Sequence, residues 1–432
     1  MTRASKLLES EINKDGSSKL EIILAHRILS IPIFFGIIFL LFFLTFVLGN
    51  YPVQLIEQLF VWLESTANSI FRESFFHNML IDGIIPGIGG VAAFLPNIII
   101  LFTLIAILED SGYMARSTII VDRMMKKIGL SDKSFMPLVI GFGCNVPAIM
   151  AARTIENKKR RLITILIIPF MSCSARLPIY VLFISAFFNS HRTLILFLLY
   201  MIGIIIGGLT AFILSKFVKK DTEKEIIFNI PPLRIPTIRS VLYNMWSKSL
   251  YFIKKMGGVI LVASIIIWAL TYFPLDREQA SGLDSSQEPI STVNAKDDNI
   301  EKSYIGLIGK ALLPVFKPLG FDWEMSVSIV TGLPAKEIIV SSLAVLYKQD
   351  VEGDNIIDFQ SVWNKNSHLN YPGLSAFSFM LFVLISFPCL GTLISIRRET
   401  GSKKWMALSF IYNTMAAWLI SFAFYQIGTF II

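Results

Sequence analysis

Seven apolar runs, each close to twenty residues long, constrain this chain more than any other feature: they lie near 31–49, 84–108, 163–187, 193–215, 256–273, 374–396 and 405–430. Roughly 20 helical residues cross about 30 Å of hydrocarbon, so runs of this length read as membrane spans. The rest of the composition agrees, with 54% hydrophobic and 16% charged residues. An ordinary soluble domain is about 25% charged, and surface-to-volume scaling leaves such a domain nowhere to hide this much apolar surface. Bulk disorder is excluded for the same reason. The three cysteines, Cys144, Cys173 and Cys389, are too few, and odd in number, to build a disulfide framework. The expected class is an all-α polytopic membrane protein with about 7–9 membrane segments.

Two further apolar stretches are broken. Residues 134–152 contain Pro137, Gly141, Gly143 and Pro147, and residues 325–347 contain Gly332 and Pro334 with Lys336 and Glu337 near the middle. Gly/Pro-interrupted segments in corresponding halves point to a transporter's binding site. The order of elements is repeated. Gly141-Phe-Gly-Cys-Asn-Val-Pro-Ala148 is followed by Pro169-Phe-Met-Ser-Cys173, and Thr331-Gly-Leu-Pro-Ala-Lys-Glu-Ile338 by Ser386-Phe-Pro-Cys389. Gly89-Gly90-Val91 and Gly257-Gly258-Val259 open the two halves.

Basic clusters set the expected orientation. They include His26-Arg27, Arg123 with Lys126 and Lys127, Lys158–Arg161, the basic residues between 215 and 256, and Arg397, Arg398, Lys403 and Lys404. All can face the cytoplasm if the two broken segments are re-entrant hairpins of opposite direction. The acidic loop 274–302 then faces outward and the C-terminus lies outside. The expected organisation is a cytoplasmic lead-in (1–30), a first transmembrane helix with an interfacial amphipathic helix over 53–76 (31–80), a first repeat (81–220), a cytoplasmic linker (221–255) and a second repeat (256–432). These charges are topology signals, so the net charge of +8 does not imply nucleic-acid binding.

The three cysteines stand beside Gly or Pro breaks or small polar residues. Broken helices free backbone carbonyls, which membrane depth tolerates only in a cavity wall or the protein interior. Thiols, the Met171 thioether, the Asn145 amide and freed carbonyls suit a borderline-soft divalent cation better than Na⁺ or Ca²⁺. Packing as small apolar fillers is the competing role for the thiols. Glu337, Glu109 and Asp110 are candidate cation-attracting carboxylates, whereas Arg176 and Lys336 suit structure or gating. No HExxH, CxxC, GxSxG or phosphate loop occurs; the nearest fragment, Gly309-Lys310-Ala311, lacks the leading glycine and the hydroxyl. An enzyme is therefore unsupported.

Several strings resemble the membrane domain of the FeoB ferrous iron transport family. They are Leu108-Glu-Asp-Ser-Gly-Tyr-Met-Ala-Arg116, Gly141–Ile149, Pro169–Pro178, Gly332-Leu-Pro-Ala-Lys-Glu337, and Pro388-Cys-Leu-Gly-Thr392 followed by Arg398-Glu399 and Lys404-Trp405. The resemblance runs from about His26 to the last span, with Gly391 where the family pattern has Ala. It implies two inverted gate repeats with discontinuous helices in a bacterial inner membrane, importing Fe²⁺ as substrate. Motif cysteines matching Cys144, Cys173 and Cys389 would line the path, with Asn145 and Met171 beside them. It implies no permanently bound cofactor. The family's GTPase domain has no counterpart in this sequence, so GTP is expected to act through a separate GTPase subunit, with a small FeoA-like accessory protein as a further partner. A homo-oligomer is left open. The alternatives are a gate-type permease for another divalent metal or a small solute such as a nucleoside, and a non-transporting scaffold that docks a GTPase.

Overall fold

The computed structural model describes residues 30–70, 79–112, 125–188, 191–217, 237–252, 254, 258–272, 303–347 and 371–431. Every regular element among the described residues is helical. Helix α1 (Ser30–Ile70) is followed by a π-helical turn, Met79–Ile84, and α2 (Ile85–Asp110). Next come α3 (Phe135–Gly141), α4 (Asn145–Ala151), α5 (Lys158–Ile167), α6 (Leu177–Phe187), α7 (Arg192–Phe217) and α8 (Ile238–Phe252). The second half contains α9 (Gly258–Tyr272), α10 (Tyr304–Phe316), α11 (Trp323–Thr331), α12 (Ile338–Leu346), α13 (Pro372–Ile385), α14 (Leu390–Thr400) and α15 (Lys403–Ile431).

Five helical stretches among the described residues are long and apolar enough to cross a membrane: Phe39–Ala67, Lys158–Phe187, Arg192–Lys216, Pro372–Thr400 and Lys403–Ile431. A bent pair, Tyr304–Leu319 with Trp323–Thr331 at 109°, would make six. The α5–α6 and α13–α14 stretches are 67% and 83% buried, against 22% for α7 and α15. The interrupted helices therefore occupy the centre and the continuous ones surround them.

Local chemistry explains the boundaries. Asn157 caps α5, its side chain accepting from the amides of Lys159 and Arg160 at 3.0 and 3.1 Å, which meets two of the amides every helix start leaves free. Asp322 caps α11 by accepting from Met325 N at 2.9 Å. Gly320, at φ +81°, lets the chain turn between α10 and α11, a conformation a Cβ would penalise.

Each broken segment folds as a helical hairpin, α3 on α4 and α11 on α12. The halves then exchange contacts. The outgoing arm of the first hairpin, α4, packs on α14, and the outgoing arm of the second, α12, packs on α6. Helix α7 packs on α5 and α13; α15 packs on α13 and, through Tyr412 donating to the Leu166 carbonyl, on α5. Aromatic rings tie the centre together: Phe183 and Phe379 lie 5.1 Å apart, Phe321 and Phe379 5.4 Å, and Phe316 and Phe382 5.4 Å.

One sequence expectation is corrected and two are refined. The expected interfacial helix over 53–76 is not separate, because α1 continues through Pro52 to Ile70; residues 71–76 lie outside the described residues. Gly49, between the two expected elements, is a crossing point: a methyl there would lie within 2.9 Å of Asn97 Cγ on α2. Close packing of α1 on α2 accompanies the helix through Pro52. The runs 163–187 and 374–396 are not continuous; each unwinds at its motif, over 171–173 and 386–389. The linker 221–255 contains a helix, α8, which packs on α2. Helix α10 was not foreseen, and loop 274–302 lies outside the described residues.

Candidate functional site

All three cysteines are N-cap residues of half-helices. Cys144 precedes α4 (φ −152°, ψ 128°), Cys173 precedes the 3₁₀ turn Ser174–Arg176 (φ −75°, ψ 163°) and Cys389 precedes α14 (φ −61°, ψ 159°). None of their side chains caps its helix while its backbone is extended, and Cys389 Sγ instead meets the Thr392 hydroxyl. All three are free and partly buried. Cys144 lies within electrostatic reach of Cys173, Cys389 and Glu337, and Cys173 of Cys389 and Glu337. The fold thus gathers three positions separated by up to 245 residues in sequence.

The same hydrogen bond builds the site in each half. In the first, Ser174 N donates to the Gly143 carbonyl at 3.2 Å, and Ser174 Oγ donates to it at 2.9 Å. In the second, Leu390 N donates to the Leu333 carbonyl at 3.0 Å. Gly143 and Leu333 occupy the same position in the repeated hairpin motif, and Ser174 and Leu390 each follow a break cysteine. Each hairpin turn is therefore fastened to the unwound part of its own broken span. Unpaired backbone groups are costly at membrane depth, so such breaks must be satisfied by protein.

Two buried cations support the breaks. Arg176 is 1% exposed, and its Nη1 donates to the Pro169 carbonyl at 3.0 Å, across the unwound residues 171–173. Lys336 is 3% exposed, with Nζ 4.0 Å from the centre of the Phe387 ring in the other break. Both lie within electrostatic reach of Cys173, and Lys336 also of Cys389. Glu337 is half-buried, and its carboxylate has no side-chain hydrogen-bond partner among the described residues. Asn145 is 5% exposed with Oδ1 unpartnered. A methyl on Gly141 would lie 3.0 Å from Met171 Cβ and 3.6 Å from Asn145 Oδ1, so the thioether and the amide flank one point on the first hairpin.

Not every expected residue joins this group. Asp110 ends α2, and α2 packs chiefly on α1, α8 and α9. One Asp110 oxygen is buried without a hydrogen-bond partner. Glu109 lies in the same turn, and its side chain is outside the described residues. Other members carried no assigned role in the sequence. Thr392 Oγ1 lies 3.2 Å from Cys389 Sγ, and buried Ser172 donates to Tyr180 Oη at 3.1 Å. A hydroxyl within three residues of Cys173 and of Cys389 was the available signal; Cys144 has none that close. Among the described residues, no group of three or more His, Cys, Asp or Glu side chains is placed to hold a metal ion.

Comparison with known proteins bears on this arrangement. A family model described as nucleoside recognition, the Gate family, matches residues 91–187 and 253–403, and one described as ferrous iron transport protein B C terminus matches 196–248. Each block of the Gate match contains one hairpin and one broken span. The Fe(2+) transporter FeoB of Helicobacter pylori is 36% identical, covering 98% of this chain and 69% of that protein. The chain belongs to the ferrous iron transport protein B family. Other FeoB relatives are the Fe(2+) transport protein A/Fe(2+) transporter FeoB fusion protein of Porphyromonas gingivalis, 44% identical over 95% of this chain and 51% of its own, and the Fe(2+) transporter FeoB of Staphylococcus aureus, 39% identical over 95% and 59%. The chain thus spans between half and two thirds of the length of these two FeoB proteins. No solved structure matches it.

Proposed function

We propose that this chain is the membrane permease of an Fe²⁺ importer, carrying the ion past Cys144, Cys173 and Cys389 into the bacterial cytoplasm. The observation that carries the reading is the placement of all three free thiols at half-helix N-caps within one another's electrostatic reach. Thiolate and thioether donors suit borderline-soft metals, and the relatives are Fe(2+) transporters. Buried Arg176 and Lys336 beside the thiols argue against a resting ion, because their positive charges oppose its residence. Conduction needs that weakness: binding at successive sites must let the ion leave again. Asn145 Oδ1, Met171 and Glu337 complete the donor series, while Glu109 and Asp110 act as attracting charges at a distance. The two hairpins enter from opposite faces, and their turns shift against the broken spans to admit and release the ion. The chain lies in the inner membrane, and the positive-inside rule supports an orientation with the basic clusters facing the cytoplasm. A GTPase acts on the chain from the cytoplasm. The fused transport protein A of the Porphyromonas gingivalis relative supports a similar accessory partner here.

The Gate description as nucleoside recognition keeps one rival cargo in view. Purified chain in sealed liposomes, under reducing anaerobic conditions, is tested with ⁵⁵Fe²⁺ and with tritiated uridine. Saturable iron uptake without uridine uptake is expected. Uridine uptake without iron uptake would replace the cargo, and zero flux of both despite GTPase binding would favour a scaffold.

A further inference from the structure

We propose that Arg153 and Glu399 are a positioning pair that latches the basic face of the path, holding the first hairpin against the second broken span until an ion leaves. Arg153 Nε donates to Glu399 Oε2 at 2.6 Å and Nη2 to Oε1 at 2.5 Å, a two-pronged fork between residues 246 apart in sequence. Such bidentate pairs fix geometry as well as charge. The Glu399 side chain is only 7% exposed, so the carboxylate is enclosed rather than draped on a surface. Its position is also unfavourable without a partner. It lies in the last turn of α14, where the helix dipole disfavours an acid and favours the neighbouring Arg397 and Arg398. The Arg398-Glu399 motif thus acquires a role that the thiol path does not supply.

The pair sits where a gate contact would. Helices α4 and α14 pack together, with Cys144 and Cys389 at their N-termini. Arg153, in the turn after α4, and Glu399, at the end of α14, close the same helix pair at its other end. Ten residues of helix separate Cys389 from Glu399, about 15 Å along the axis at 1.5 Å per residue. The first hairpin is therefore held at two levels: its turn to its own repeat through Gly143 and Ser174, and its foot to the other repeat through Arg153. The corresponding packed pair, α12 on α6, ends in apolar Leu346 and Phe187. The latch therefore belongs to one face, the one carrying Lys158–Arg161 and Arg397-Arg398.

This inference rests on the transport reading for its purpose, but its test needs no iron. The full chain in membrane vesicles exposing the basic face is treated with a membrane-impermeant maleimide, and modification of each thiol is followed by mass spectrometry. In Arg153→Gln and Glu399→Gln, labelling of Cys144 and Cys389 is expected to accelerate about tenfold, within the usual range for coupling between sites. The exchanged pair, Arg153→Glu with Glu399→Arg, is expected to return to the wild-type rate. Lys133→Gln breaks a more exposed pair at the same hairpin foot, Lys133 Nζ to Glu156 Oε1 at 2.7 Å, and is expected to leave labelling unchanged. Wild-type labelling in both single variants, equal acceleration in Lys133→Gln, or an exchanged pair as fast as the singles would each overturn the latch. Loss of iron flux with unchanged labelling would count against the latch and not against the transport reading.

Discussion

Three glycines on α7 make a graded test of how tightly the first break is enclosed. A methyl on Gly203 would lie 2.8 Å from the Phe170 carbonyl oxygen, just before the unwound residues 171–173. Carbon–oxygen contacts of this kind settle near 3.3–3.6 Å, so the backbone must yield by roughly half an ångström. A methyl on Gly207 would lie 2.8 Å from Met171 Cε, the free end of a flexible thioether that can swing aside. A methyl on Gly208 would meet nothing within 4 Å. Alanine in place of glycine gains up to about 1 kcal/mol in a helix, whereas overpacking costs about 1–3 kcal/mol. Gly208→Ala should therefore stabilise by about 0.5–1 kcal/mol, Gly207→Ala should be nearly neutral, and Gly203→Ala should cost about 1–2 kcal/mol net. Thermal unfolding in detergent, read as the order of apparent midpoints because membrane proteins often unfold irreversibly, should rank Gly208→Ala highest and Gly203→Ala lowest. Iron flux should fall most in Gly203→Ala, because the shifted carbonyl leads directly into Met171 and Cys173. A Gly203→Ala variant as stable and active as Gly208→Ala would refute the close approach of α7 to the break.

Further outcomes follow from single contacts. Arg176→Leu leaves the Pro169 carbonyl unpaired in the interior and should cost about 1–3 kcal/mol, read as a lowered midpoint; no change would remove Arg176 from the support of the break. Ser174→Ala retains the amide bond to Gly143 and loses only the 2.9 Å hydroxyl bond, so it should cost about 0.5–1.5 kcal/mol in the same assay. Lys336→Met removes a buried cation beside Cys389 and should strengthen Fe²⁺ retention in equilibrium dialysis while slowing release; weaker retention would contradict the opposing role of that charge. Gly49→Leu should separate α1 from α2, and an unchanged disulfide cross-linking rate between cysteines engineered on those helices would argue against the crossing.

Much of the fold was legible because its signals are local in sequence. Apolar length marked α7 and α15, and paired Gly and Pro residues marked both hairpins, at Gly141–Pro147 and Gly332–Pro334. The breaks inside 163–187 and 374–396 carry only short local signals, Ser172 beside Cys173 and Ser386 with Pro388 beside Cys389, set in otherwise apolar runs. The hydrogen bonds from Ser174 to Gly143 and from Leu390 to Leu333 fix their extent, and those bonds join distant segments. The continuation of α1 through Pro52 was missed because the contact that accompanies it, Gly49 against Asn97 on α2, joins segments distant in sequence. The cysteines were recognisable as a set from their motifs. Their meeting point and the pairing of Arg153 with Glu399 depend on how the halves exchange contacts, and the contact of Lys336 with Phe387 on how the second hairpin seats against its own broken span, none of which spacing reveals.

The central claim is that iron passes the three thiols. Its most direct test is the rate of ⁵⁵Fe²⁺ entry into sealed liposomes containing the chain, compared with Cys144→Ser, Cys173→Ser and Cys389→Ser variants of matched fold and orientation. The account predicts that each serine lowers the flux, because a hard hydroxyl replaces a softer donor at one step of a series. Three variants carrying iron at the wild-type rate would contradict it.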